Sequence, residues 1–109
     1  MAERWRAYLV RCADGSLYCG ASNDVERRLV QHCSGNGARY TRGHRAVALA
    51  WRSSPLPKRL ALSLEARIKR LDRSDKLLIA DRRGTAIIRR LLLGARASAC
   101  RGNAPKAAG

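Results

Sequence analysis

The chain is poor in aromatic residues, in acids and in long apolar runs. Among its 109 residues there is no Phe, aromatic residues make up 5%, and Asp and Glu together number 8 against 23 Lys and Arg. No apolar run approaches the roughly 20 residues that a membrane-spanning helix needs. The first residues also lack the apolar centre of a secretory signal. We therefore expect a cytoplasmic protein without a membrane partner.

Cysteine is present but is not arranged as a zinc site. The four cysteines stand at positions 12, 19, 33 and 100 and form no Cys-x-x-Cys pair, which argues against structural zinc. Cys12 and Cys19 could meet across a hairpin, but a cytosolic chain keeps its thiols reduced. We expect these residues to act as small buried side chains.

The excess of basic residues points to a polyanion as partner. The formal net charge is +15 and the sequence pI is near 11.3, and the basic residues are spread along the whole chain. This spread favours nucleic acid over a membrane surface. Arginine-rich residue usage without any function would also explain part of the excess, particularly in the tail. The length predicts one domain with a modest core, and we expect a monomer.

A β-hairpin is predicted near the N-terminus. Residues 5–12 and 17–22 have the composition of strands, and the Asp14-Gly15 dipeptide between them is a strong turn signal. Two turns are compatible with this pattern, and they give different registers. Because side chains alternate between the faces of a strand, a shift of one residue decides which residues share a face.

The register decides whether two tyrosines can act together. A two-residue turn would put Tyr8 and Tyr18 on opposite faces of the sheet. A three-residue turn with Gly15 at positive φ pairs Tyr8 with Gly20 and puts both tyrosines on one face. We favour the second turn because it gathers the phenols, and we expect Gly20 to leave room for a substrate opposite Tyr8.

A helix is predicted after the hairpin. Asn23 has the character of an N-cap, and Glu26 stands where the partner residue of a capping box is found. The helix should run over 24–33. Arg28 and His32 are four residues apart in it, so they should lie on one face.

The remaining pattern predicts one more strand and several helices. In chain order we expect a strand over 46–52, a loop over 53–57, a helix over 58–71, a helix over 75–80 capped by Ser74, and an amphipathic helical extension over 84–94. Residues 95–109 have little to bury, and we expect a disordered basic tail. The expected fold class is α/β (α+β): a small three-stranded antiparallel sheet flanked by helices.

Several segments resemble, in order, the GIY-YIG nuclease superfamily. They are Tyr8-Leu-Val-Arg, Leu17-Tyr-Cys-Gly20, Asn23 to His32, Gly35 to Arg42 and Leu64 to Leu71. The pattern spans about residues 3–81 and is most similar to the small single-domain bacterial members, which implies a nuclease domain over 1–83. Arg6-Ala7 and Cys19 depart from the two motifs. The Asn near the end of some family sites has no clear counterpart.

The resemblance implies a set of catalytic residues: Tyr8, Tyr18, Arg28, His32 and Glu65. It implies that Arg28 contacts the scissile phosphate and that Glu65 holds one Mg²⁺ or Mn²⁺ ion. We assign Tyr8 as the base and Tyr18 as the residue that positions phosphate or water. A free Tyr titrates near ~10, so we expect Arg28 or a metal-bound hydroxide to assist it.

A second set is expected to bind the substrate: Gly20, Arg39, Tyr40, Arg42 and Lys69. The function implied is a metal-dependent endonuclease acting on nucleic acid, with DNA preferred to RNA as partner. Plainer interpretations stay open. Glu65 could simply pair with Lys69 one helical turn later, and the tyrosines could be ordinary strand aromatics. The alternative functions are a non-catalytic nucleic-acid-binding module and an adaptor that docks a partner through residues 86–93.

Overall fold

The computed structural model describes residues 3–34 and 45–101. Within these ranges the elements in chain order are β1 (Glu3–Cys12), β2 (Leu17–Ser22), α1 (Val25–Cys33), β3 (Ala46–Arg52), β4 (Leu56–Pro57), α2 (Lys58–Lys69), α3 (Arg73–Ala80) and α4 (Thr85–Arg101). The expected class, an antiparallel sheet flanked by helices, is confirmed. No helix in the described ranges is long and apolar enough to cross a membrane.

The hairpin has the three-residue turn. Tyr8 pairs with Gly20, and Gly15 adopts φ +86°. The Gly15 N–H donates to the Cys12 carbonyl, and the Cys12 N–H donates to the Ser16 carbonyl, each at 2.9 Å. Only glycine adopts this left-handed backbone without a steric cost. The register that places both tyrosines on one face is therefore confirmed.

The sheet is antiparallel, has the order β2-β1-β3, and buries both of its faces. β4 is a short addition that pairs with the start of β1. One face carries Ala7, Leu9, Leu17 and Cys19, which pack against the apolar sides of α2, α3 and α4. The opposite face carries Tyr8, Val10 and Tyr18, which pack with residues of α1. This division follows the alternation of side chains along a strand.

The helix caps differ from the predicted ones by one or two residues. Asp24, rather than Asn23, caps α1, and Asp72, rather than Ser74, caps α3. Each aspartate accepts a hydrogen bond from the backbone N–H three residues later, at 3.1 Å and 2.9 Å respectively. A carboxylate satisfies this donor and also interacts well with the positive end of the helix dipole. Ser74 instead donates its hydroxyl to Asp72.

The stretch predicted to be a loop over 53–57 contains β4, so the prediction of three strands missed a two-residue strand. Proline has no N–H and is therefore found in such edge positions. The pattern of 53–57 gives little sign of pairing because the strand is so short.

The C-terminal helix α4 continues to Arg101, so the predicted boundary at residue 95 is wrong. Ala95 is fully buried, and the Gly94 carbonyl accepts a hydrogen bond from Arg67 Nη2 of α2 at 3.1 Å. Small residues let the two helices approach closely here. The predicted tail over 102–109 lies outside the described residues.

Candidate active site

A buried tyrosine–histidine pair lies between the sheet and α1. Tyr8 extends from β1, His32 extends from the last turn of α1, and Tyr8 Oη lies 3.0 Å from His32 Nε2. Each residue is only 1% exposed. The i, i+7 repeat of Val25 and His32 puts both of these buried residues on the sheet-facing side of α1.

Burial keeps both members of this pair neutral. It raises the pKa of Tyr8 to about 12, and the charge of Arg28 offsets this only in part. Burial also lowers the pKa of His32, and Arg28 adds to that effect. At neutral pH the phenol therefore keeps its proton and the imidazole is uncharged. The expected activation of Tyr8 by Arg28 is outweighed by burial, so a free tyrosinate is not the resting state.

Gly20 serves Tyr8 rather than open space. A Cβ built on Gly20 would overlap the Tyr8 hydroxyl and would lie 2.6 Å from its Cζ. Real Cβ atoms essentially never come so close. The room expected above Gly20 is filled by the phenol of Tyr8, and the absence of a side chain there allows Tyr8 to reach His32.

Tyr18 connects this pair to α2. Its ring meets the His32 ring edge-on, with centroids 5.3 Å apart and an interplanar angle of 60°. On its other side, Lys69 Nζ lies 6.0 Å from the Tyr18 ring centroid, within the range of a cation–π interaction. Tyr18 is half-buried, so the site opens to solvent near this ring.

Glu65 reaches the same place from α2. Its Oε2 lies 3.1 Å from Lys69 Nζ, and its side chain is 18% exposed. Its backbone carbonyl accepts a weak hydrogen bond from Cys19 Sγ of β2 at 3.7 Å. Because α2 packs on the face opposite to α1, the site wraps around β2, the outer strand of the sheet.

The ion pair between Glu65 and Lys69 matches the plainer interpretation of these residues. Burial lowers the pKa of Lys69, but the hydrogen bond and charge of Glu65 outweigh it and raise that pKa overall. Lys69 therefore stays charged and occupies one side of the carboxylate.

Arg28 lies beside the pair from the same side as His32. Its Nη1 donates a 2.6 Å hydrogen bond to Gln31 Oε1. Gln31 was not predicted to take part in the site, although its i+3 spacing from Arg28 would have allowed that prediction. Gln31 holds the guanidinium at the mouth of the site without neutralising it.

The donors at the site were compared with what a divalent ion needs. Among residues 3–34 and 45–101 no cluster of three or more His, Cys, Asp or Glu can hold a metal ion. Glu65 is the single carboxylate placed beside the tyrosines. Mg²⁺ is commonly bound by one or two carboxylates, with water and substrate phosphate completing its shell. The donor set fits such an ion if Lys69 moves aside.

The five predicted catalytic residues come together in the structure. Tyr8, Tyr18, Arg28 and His32 share the α1 side of the sheet, and Glu65 meets them at the β2 edge. Of the predicted substrate-binding residues, Gly20 and Lys69 lie at the site. Arg39, Tyr40 and Arg42 lie outside the described residues.

Comparison with known proteins gives a consistent picture. A family model described as the GIY-YIG catalytic domain matches residues 4–77. A UPF0213 protein of Nitratidesulfovibrio vulgaris is 53% identical over 76 residues, which cover 69% of this chain and 68% of that protein. The UPF0213 protein YhbQ of Escherichia coli is 43% identical over 83 residues, covering 75% and 83% respectively. The NMR structure of UPF0213 protein BH0048 from Bacillus halodurans is 36% identical, covers 74% of this chain and 86% of that one, and has a TM-score of 0.47. The chain therefore belongs to the GIY-YIG catalytic domain family.

Proposed function

We propose that the chain is a metal-dependent endonuclease that hydrolyses phosphodiester bonds in nucleic acid, with DNA as the preferred substrate. The observation that carries the proposal is the 3.0 Å contact between Tyr8 Oη and His32 Nε2, beside the positive charge of Arg28. A neutral tyrosine buried against a neutral histidine is a means of moving a proton.

The direction of proton transfer follows from the two pKa shifts. With the Tyr8 pKa raised to about 12 and the His32 pKa lowered, the phenol donates its hydrogen to Nε2 in the resting state. The lone pairs of the phenol oxygen remain available to an attacking water. As that water attacks phosphorus, its proton passes to Tyr8 Oη while the proton of Tyr8 passes to His32 Nε2. This relay avoids forming a free tyrosinate and modifies the assignment of Tyr8 alone as base.

Arg28 supplies the positive charge for the phosphate. Charge builds on the non-bridging oxygens in the transition state, and a fixed guanidinium at the mouth of a half-buried site stabilises it more than it would in water. Gln31 keeps this guanidinium in place. Tyr18 positions phosphate or water from the exposed side.

Glu65 is the residue that would hold a divalent ion. Mg²⁺ or Mn²⁺, when bound, would supply positive charge next to the leaving oxygen. The residues around Glu65 contribute the cation-binding carboxylate and a lysine that can turn towards phosphate once the carboxylate is engaged.

We propose a monomer that acts in the cytoplasm. Cys12 and Cys19 are both buried as free thiols, which is consistent with a reducing compartment. The net charge of +15 would bind the nucleic-acid backbone without sequence preference.

The test is a cleavage assay on single-stranded, duplex, nicked and branched DNA and on the matching RNA, with Mg²⁺, Mn²⁺ or EDTA. We expect ion-dependent products from the wild type and much slower cleavage by Tyr8→Phe, which lacks only the hydroxyl. Binding without cleavage on every substrate and with every ion would favour the non-catalytic binding module.

A further inference from the structure

A long trough lies on the edge of the sheet away from the active site. β3 is the outer strand on this side, and the trough runs between β3 and the start of α4 with a volume of about 610 Å³. A second hollow of about 320 Å³ continues along α4. The two share Thr85, Ile88 and Leu92 as lining residues, so they form one continuous surface, which we call the β3–α4 trough.

The rim of the trough is basic and its floor is apolar. Arg52, Arg82, Arg89 and Arg96 line it together with a single acid, Glu26. That acid already forms an ion pair with Arg52, so three arginines remain to set the charge of the rim. Trp51 lies on the floor with aliphatic side chains.

The basic character belongs to the C-terminal part of the chain. Residues 82–109 contain no Asp or Glu, and α4 lies outside the family-model match over 4–77. The trough is thus a feature that α4 adds to the catalytic domain.

The backbone of Arg82 supports a role beyond packing. Arg82 adopts φ +62°, just after the end of α3, where glycine or asparagine is the usual residue. A side chain in this left-handed conformation is strained, and such strain is concentrated at functional sites. The guanidinium of Arg82 is held on the rim despite this cost.

We propose that the β3–α4 trough binds a single-stranded segment of nucleic acid, with phosphates on Arg82, Arg89 and Arg96 and a base against Trp51. Basic grooves with an aromatic platform are the common means of binding single strands. A hollow of 300–600 Å³ has room for one or a few bases, whereas a duplex would have to lie across it. This inference rests on the proposed affinity for nucleic acid but not on catalysis, because the trough and the active site lie at opposite edges of the sheet.

The experiment uses Trp51 as its own reporter. The chain has two tryptophans, so Trp5→Phe leaves the Trp51 indole as the only one. In EDTA, to prevent cleavage, a dT12 oligonucleotide should quench its fluorescence, whereas a duplex hairpin should bind without quenching. Polyglutamate serves as the acidic-peptide probe. Quenching by polyglutamate but not by dT12 would overturn the proposal in favour of an acidic protein segment.

Substitutions then separate the trough from the general charge. Changing Arg82, Arg89 and Arg96 together to Gln should reduce the salt slope for dT12 binding by about 2, at roughly 0.7 per phosphate contact. Changing the exposed Arg4, Arg11 and Arg59 to Gln removes the same charge and should have a smaller effect. Equal slopes for the two triple variants would refute the proposal.

Two single variants guard against loss of folding. Arg82→Gly removes the guanidinium and relieves the strained backbone, so it should weaken dT12 binding while the melting temperature holds or rises. Trp51→Phe, with Trp5 intact and labelled dT12 as reporter, should weaken binding roughly fivefold or more. Unchanged binding in both variants would contradict the proposal. Cleavage by the trough variants in Mg²⁺ is measured separately, so a chain that binds in the trough but cannot cleave overturns only the proposed function.

Discussion

Gly20→Ala is expected to be strongly destabilising because Gly20 lies under the phenol of Tyr8. The new Cβ would overlap the Tyr8 hydroxyl and would lie 2.6 Å from Cζ, so the buried ring must move. Overpacking of this kind costs about 1–3 kcal/mol. The displaced ring also loses its hydrogen bond to the buried His32, which costs about 1–3 kcal/mol more.

These terms predict a loss of about 2–6 kcal/mol in the free energy of unfolding. At about 4–8 °C per kcal/mol for a domain near this size, the melting temperature should fall by at least about 8 °C. Urea and thermal unfolding followed by circular dichroism measure both quantities.

Two further variants check the cause. Gly94→Ala is the matched control, because its Cβ would meet only the movable end of Arg67 at 3.0 Å, and alanine favours a helix by up to about 1 kcal/mol. It should be neutral or stabilising. In a Tyr8→Leu background, Gly20→Ala should cost less than about 1 kcal/mol. A cost below about 0.5 kcal/mol in the wild-type background would refute the placement of Tyr8 above Gly20.

Three other outcomes follow from the site. Arg28→Ala should reduce the cleavage rate constant by roughly 10²–10³, as for the loss of one transition-state donor, and retained rate in single-turnover assays would remove Arg28 from the mechanism. Lys69→Met should tighten Mn²⁺ binding at Glu65 by up to about fivefold in calorimetry, because the competing ion pair is worth at most about 1 kcal/mol, and Lys76→Met should not. Folding lowers the pKa of His32 from 6.5, so the unfolded chain takes up the proton first. Stability should therefore decrease as the pH falls below 6.5, and His32→Asn should remove that part of the pH dependence in urea unfolding.

The sequence carried the information that brings the tyrosines together. Asp14-Gly15 between two apolar runs is a turn signal, and Gly15 at φ +86° is the geometry that makes the register unique. The spacing of Arg28 and His32 was sufficient to put them at the same end of α1. These features are local, so they can be read from neighbouring residues.

Other features depend on contacts between distant residues and could not be predicted. The burial of Tyr8, and with it the upward shift of its pKa, arises from packing of α1 on the sheet. The use of the space at Gly20 depends on the rotamer of Tyr8. The extension of α4 to Arg101 depends on Ala95 finding a buried place against the core, which composition alone does not reveal.

The most direct test of the proposed mechanism is ion-dependent cleavage by Glu65→Gln compared with Glu26→Gln. Both variants remove one carboxylate charge, but Glu26 is exposed and paired with Arg52 away from the tyrosines. With a cleavable substrate and a titration of Mg²⁺, we expect Glu26→Gln to cleave at about the wild-type rate and Glu65→Gln to lose cleavage while it still binds nucleic acid. Equal ion-dependent rates for the two variants would contradict the account.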